Sequence, residues 1–109
     1  MAFDSALADR IRKELGKRKG LTEKKMFGGL SFLLNGNMCV GVHGQEMIVR
    51  LAPEQSDEAL QSKHTRIFDL TGRPMKGWMV VQPKGLVKQE DLAHWVRAGV
   101  KFADSLSAK

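Results

Sequence analysis

A chain of 109 residues, 42% hydrophobic and 28% charged, is the size of one domain with a single core and is too apolar for wholesale disorder. Its lone cysteine excludes an intrachain disulfide, and no apolar run nears the ~20 residues of a membrane span, so a cytoplasmic location is expected. The net charge of +6 is uneven, with eight basic against four acidic side chains in residues 1–25, a bias that attracts nucleic acid or acidic partners.

The first helix is predicted from Ser5 to Lys17, with Asp4 as its N-cap. Leu7, Ile11 and Leu15 recur every four residues and form its apolar stripe. Arg10, Lys13 and Lys17 fall on a separate ridge. They are the candidate nucleic-acid contacts of one alternative function, although such a ridge is more often a solvated face.

Three strands follow. Leu30, Phe32 and Leu34 alternate with Ser31 and Leu33, and Asn35-Gly36-Asn37 reads as a tight hairpin turn. Met38, Val40 and Val42 alternate with Cys39, Gly41 and His43, and beyond Gly44-Gln45 so do Met47, Val49 and Leu51 with Ile48 and Arg50. Lys24 to Gly28 offers a further strand or an extension of the first. Pro53 suits the first turn of a second helix reaching about Lys63, with Glu54, Asp57 and Glu58 at its positive end.

Ile67 to Leu70 reads as a short strand before a Thr71-Gly72-Arg73-Pro74 turn, and Trp78 to Gln82 as a better one closed by Pro83. The last helix runs from Gln89 to about Leu106, with Leu92, Trp95, Val96, Gly99, Phe102, Ala103 and Leu106 on one face. This order, α-β(3)-α-β(2)-α, predicts a two-layer α+β domain with an antiparallel sheet. Helices are expected on one sheet face, over Phe32, Val40 and Val49. The other face, carrying Leu33, Cys39, Ile48 and Arg50, is the candidate interaction surface.

Reactive groups do not assemble into a motif. Cys39 and His43 lie four residues apart, roughly 13 Å along a strand, whereas a nucleophile and its base need about 3 Å. His43, His64 and His94 lack the spacing of metal ligands. No catalytic residue, metal or cofactor is therefore expected. Arg73, held between Gly72 and Pro74 and followed by Lys76, is a candidate anion or small-ligand contact, or else a loop-fixing ion-pair partner.

Met26-Phe27-Gly28-Gly29, the Asn35-Gly36 turn with Met38, Arg50-Leu51, the segment Gly72-Arg73-Pro74-Met75-Lys76-Gly77-Trp78 and the final helix with Trp95-Val96 and Phe102-Ala103 occur together. In that combination the chain resembles the TfoX N-terminal domain family, found in bacterial regulators of natural competence and as free-standing small proteins. The resemblance implies a fold similar to secretion chaperones and kinship with regulators of competence genes. It supplies no catalytic residues. Longer family members continue into a separate C-terminal helical domain, whereas this chain, ending at Lys109, is expected to be a single stand-alone domain. Lys88 stands where the family more often has a capping Asp or Ser. The resulting expectation is a non-enzymatic regulatory or adaptor domain acting through a protein partner or a homodimer, with nucleic-acid binding and small-ligand binding as alternatives.

Overall fold

The computed structural model describes residues 4–26, 29–61, 64–68 and 77–106. Helix α1 (Ser5–Leu15) starts where the Asp4 side chain accepts hydrogen bonds from the backbone N–H groups of Ala6 and Leu7, at 2.9 and 3.2 Å. It ends two residues earlier than expected, and the Arg18 Nε–H donates to the carbonyl of Leu15 at 2.9 Å. That bond satisfies one of the carbonyls that a helix end leaves without an intrahelical partner. Leu7, Ile11 and Leu15 are all buried, as their spacing requires.

Four strands come next, the three expected and the further one offered around Lys24, which begins earlier at Leu21: β1 (Leu21–Met26), β2 (Gly29–Leu34), β3 (Asn37–His43) and β4 (Glu46–Arg50). β1 is the edge strand, pairing with β2 alone. Its Thr-Glu-Lys-Lys stretch shows little apolar alternation because an edge strand need bury little, and Leu21 at its start packs against the core. Asn35 and Gly36 both have positive φ, 53° and 83°, which is what a two-residue turn between right-twisted strands demands.

Beyond β4 the chain forms a 3₁₀ turn at Pro53–Gln55, a short helix α2 (Ser56–Leu60), strand β5 (Thr65–Ile67), strand β6 (Trp78–Val81), a second 3₁₀ turn at Pro83–Leu86 and helix α3 (Gln89–Asp104). The second helix is thus shorter than predicted, and the short strand starts two residues earlier, at Thr65, and ends at Ile67, with residues 69 and 70 of the prediction outside the described residues. Every pairing is antiparallel, and the sheet order is β1-β2-β3-β4-β6-β5. None of the described helices is long and apolar enough to cross a membrane.

One irregularity decides which residue faces which side. Phe32 pairs with Val40, but Leu33 pairs with Met38, so Cys39 is an extra residue in β3. Such a bulge breaks the two-residue alternation. Val40 and Val42 therefore stay on the helix side, Cys39 joins them, and Met38 turns to the opposite face. Sequence alternation had assigned Cys39 to the outer face and Met38 to the helix side; the bulge exchanges them.

The helix-side core holds Phe32, Val40, Val49, Met47 and Val81 from the sheet, Ile11 and Leu15 from α1, and Leu92, Trp95 and Val96 from α3. Phe102, expected in this stripe, is only half-buried. The second face is no bare surface at its centre: Met38, Ile48, Phe68 and Val80 form a second cluster, each at most 5% exposed, with Leu33 and Trp78 packed around it.

Helix α3 lies directly on the bulge. A Cβ at Gly99 would fall on the carbonyl oxygen of Cys39 and within 2.8 Å of Val40 Cγ1. Mid-helix Gly→Ala ordinarily stabilises by about 1 kcal/mol. Gly99→Ala should do the reverse, costing about 1–3 kcal/mol because the obstructing atom is backbone and cannot swing away. Urea unfolding reads the sign directly.

Candidate functional site

Among the described residues the sequence-predicted positions do not converge. Arg73 and Lys76 lie outside the described residues. Leu33 is half-buried and Ile48 is buried on the second face, whereas Cys39 is fully buried on the helix side. Its Sγ donates to the Phe32 carbonyl at 3.3 Å. Burial pushes the thiol from its ordinary 9.0 up to about 11, since a thiolate there would lose its water. His43 is half-buried at the end of β3, while His64 and His94 are exposed on other elements. Among the described residues no three His, Cys, Asp or Glu side chains are grouped to hold a metal ion.

The α1 cations part company. Arg10 is tied to the start of α3: Nη2 donates to the Leu86 carbonyl at 2.6 Å and Nε to Gln89 Oε1 at 3.1 Å. Gln89 in turn donates to Glu14 at 2.9 Å. Lys13 and Lys17 remain exposed. Arg12, on the other flank of α1, clamps Glu23 of β1 through two 2.8 Å bonds and Asp9 through one of 2.6 Å. Its hydrogen bonds hold the Glu23 carboxyl below the usual carboxylate range. The same pairing, above all with Glu23, raises the Arg12 guanidinium further, against a smaller opposing effect of burial.

Arg50 continues the second face at the end of β4, opposite Trp78 in the sheet register. Its guanidinium carbon lies 5.1 Å from the Trp78 ring centre and 5.4 Å from that of Phe102. Phe102 sits in the last turn of α3, where a cation also complements the negative end of the helix. Arg50 thus bridges the second face and α3.

The accessible feature is a groove between α3 and the segment 51–59. Two recesses share Gln55 and Ala98. One, of about 190 Å³, is lined by Leu51, Gln55, Glu58, Ala59, His94, Trp95 and Ala98. The other, of about 490 Å³, is lined by Ala52, Glu54, Gln55, Ala98, Lys101, Phe102 and Ser105. Small side chains at Ala52, Ala59 and Ala98 make it shallow-floored, with Glu54 and Glu58 along one wall and His94 and Lys101 along the other. A further recess of about 280 Å³ beside Asp4 and Arg10 has both of those side chains committed to the helix cap and to Leu86.

Sequence reasoning missed this groove. The available signal was Ala98, three residues after Trp95 and four before Phe102 on one helix stripe. An alanine between two large aromatic residues leaves a notch.

The family model of the TfoX N-terminal domain matches residues 13–103 of the chain. No curated protein and no solved structure matches it.

Two measurements probe the site's chemistry. At pH 8 the native thiol should react with iodoacetamide about a hundredfold more slowly than in urea, because raising its pKa from 9.0 to about 11 depletes the thiolate by that factor. The folded pKa is the higher one, so stability is intact below pH 9 and falls as pH rises toward 11. Arg50→Lys, which keeps the charge but loses the planar group, should cost about 1 kcal/mol in urea unfolding.

Proposed function

Because the chain belongs to the TfoX N-terminal domain family, we propose that it is a non-enzymatic regulatory or adaptor domain, related to the N-terminal domain of competence regulators and acting in the cytoplasm through protein contacts. The groove between α3 and segment 51–59 carries this reading. Its floor holds small and aromatic side chains, with Glu54 and Glu58 on one side and Lys101 and the His94 imidazole on the other, about the notch at Ala98. Such a trough suits an amphipathic peptide segment, which buries one face on the floor while its polar flanks meet charged rims.

The chemistry of the chain supports binding over bond-making. Its thiol is buried and held neutral, and the two carboxylates flanking Arg12 are engaged in ion pairs. The second sheet face, favoured from sequence as the contact surface, is less suitable because Ile48 is already buried there. A homodimer would use the same trough if a segment of one copy seats in the other.

Photo-cross-linking amino acids placed at Gln55 and Lys101 in the native host test this. Both should capture one species of the same mass that a probe at Thr22, on the far edge of the sheet, does not. The captured mass separates a second copy from another protein. Ala98→Trp, which fills the notch, should reduce capture at least about tenfold while leaving the unfolding midpoint nearly unchanged. Equal capture at all three positions, or capture undiminished by Ala98→Trp, would overturn the reading.

A further inference from the structure

We propose that the corner formed by the end of α1, the following loop and edge strand β1 is a docking surface for double-helical nucleic acid, engaged through the phosphodiester backbone. The argument begins with which charges the fold consumes. Arg10 is spent on Leu86 and Gln89, and Arg12 bridges Asp9 and Glu23, a trio left with one net negative charge. Glu14 accepts from Gln89. Glu14, bonded to a neutral amide, and one charge of the Arg12 trio therefore remain, and the cations of this corner outnumber them.

Those cations are not consumed in the same way. Lys13, Lys17, Lys19, Lys24 and Lys25 are exposed, and among the described residues none of them makes a salt bridge. Arg18 uses one N–H on the Leu15 carbonyl and keeps the rest of its guanidinium for another acceptor. Six positive side chains thus fall within thirteen consecutive residues.

Topology gathers them further. β1 is an edge strand, roughly 20 Å long at six residues. Lys25 stands opposite Leu30 of the helix-side core, and Lys24 opposite Ser31. The two ammonium groups therefore leave the strand on opposite faces and flank its free edge. A second copy pairing at this edge would bring lysines against lysines, which disfavours self-association here. A polyanion is the complementary occupant.

Among the described residues, surface composition favours the double helix. Single-stranded sites rely on exposed aromatic rings for base stacking, and the large exposed apolar side chains among the described residues are Leu60 and Val87, neither aromatic. Contacts built from lysine and arginine heads read phosphates, so affinity should be insensitive to base sequence.

Fluorescence anisotropy with the full chain and two labelled 20-base-pair DNA duplexes of unrelated sequence tests the proposal. Both should bind equally, in the micromolar range at about 50 mM salt, with a slope of log K against log salt near −4 for four to five phosphates. Lys17→Glu/Lys24→Glu/Lys25→Glu should weaken binding at least about tenfold. Lys84→Glu/Lys88→Glu/Arg97→Glu changes net charge identically away from the corner and should weaken it less than about threefold. The corresponding Lys→Gln triple guards against misfolding and should still lose severalfold, with circular dichroism unchanged. Four results would each overturn the proposal: no binding at 50 mM salt, equal loss in the two charge-reversed triples, tighter binding of single strands, or equal binding of poly-glutamate.

Discussion

A helix cannot normally approach a sheet closely enough to touch its backbone, because side chains on both surfaces hold the layers about 10 Å apart. Here α3 does so at one point, where Gly99 offers no Cβ and the Cys39 carbonyl of the β3 bulge occupies that space. The two irregularities are complementary. The bulge pushes an extra residue toward the helix, and the glycine receives it. Together they fix the height and axial position of α3, and with them Leu92, Trp95 and Val96 in the core. α1 is then held from both flanks, to α3 through Arg10 and Glu14 by way of Gln89, and to β1 through Arg12 and Glu23.

The accessible surfaces inherit their character from that seating. With α3 fixed over β3, its Trp95–Ala98–Phe102 stripe runs past segment 51–59 and leaves the trough open where Ala98 is too small to fill it. At the lower end Phe102 leans from the core to meet Arg50, which links the helical layer to the second face. Charge is segregated in the same way. Paired acids lie between α1 and β1, and unpaired lysines remain beyond them.

The parts of the fold legible in the sequence were those governed by one short-range rule. Asp4 caps α1, Asn35-Gly36 turns the β2–β3 hairpin, and the Leu92, Trp95, Val96 and Ala103 spacing buries one side of α3. The remainder depended on partners distant in sequence. β1 gave almost no apolar signal because one of its backbone edges stays unpaired. Cys39 and Met38 exchanged faces because a bulge is a property of two strands in register, not of one. Ile48 was assigned to an open surface, yet Val80 of β6 and Phe68, just past β5, arrive there from later in the chain. Arg10 looked like a free cation on its helix, and Leu86, 76 residues away, decides otherwise.

The sheet order has a kinetic corollary. β1 to β4 form a meander whose neighbours are separated by two residues each, so each pairing closes a small loop at little entropic cost. β6 reaches β4 only after an excursion that already contains β5, and α3 must arrive last to lock the bulge. During synthesis the first half of the chain can thus zip up as it emerges, while the Met47 and Ile48 strand waits with one margin unfilled. Until β6 arrives, that margin presents unpaired backbone and apolar side chains to any other strand it meets.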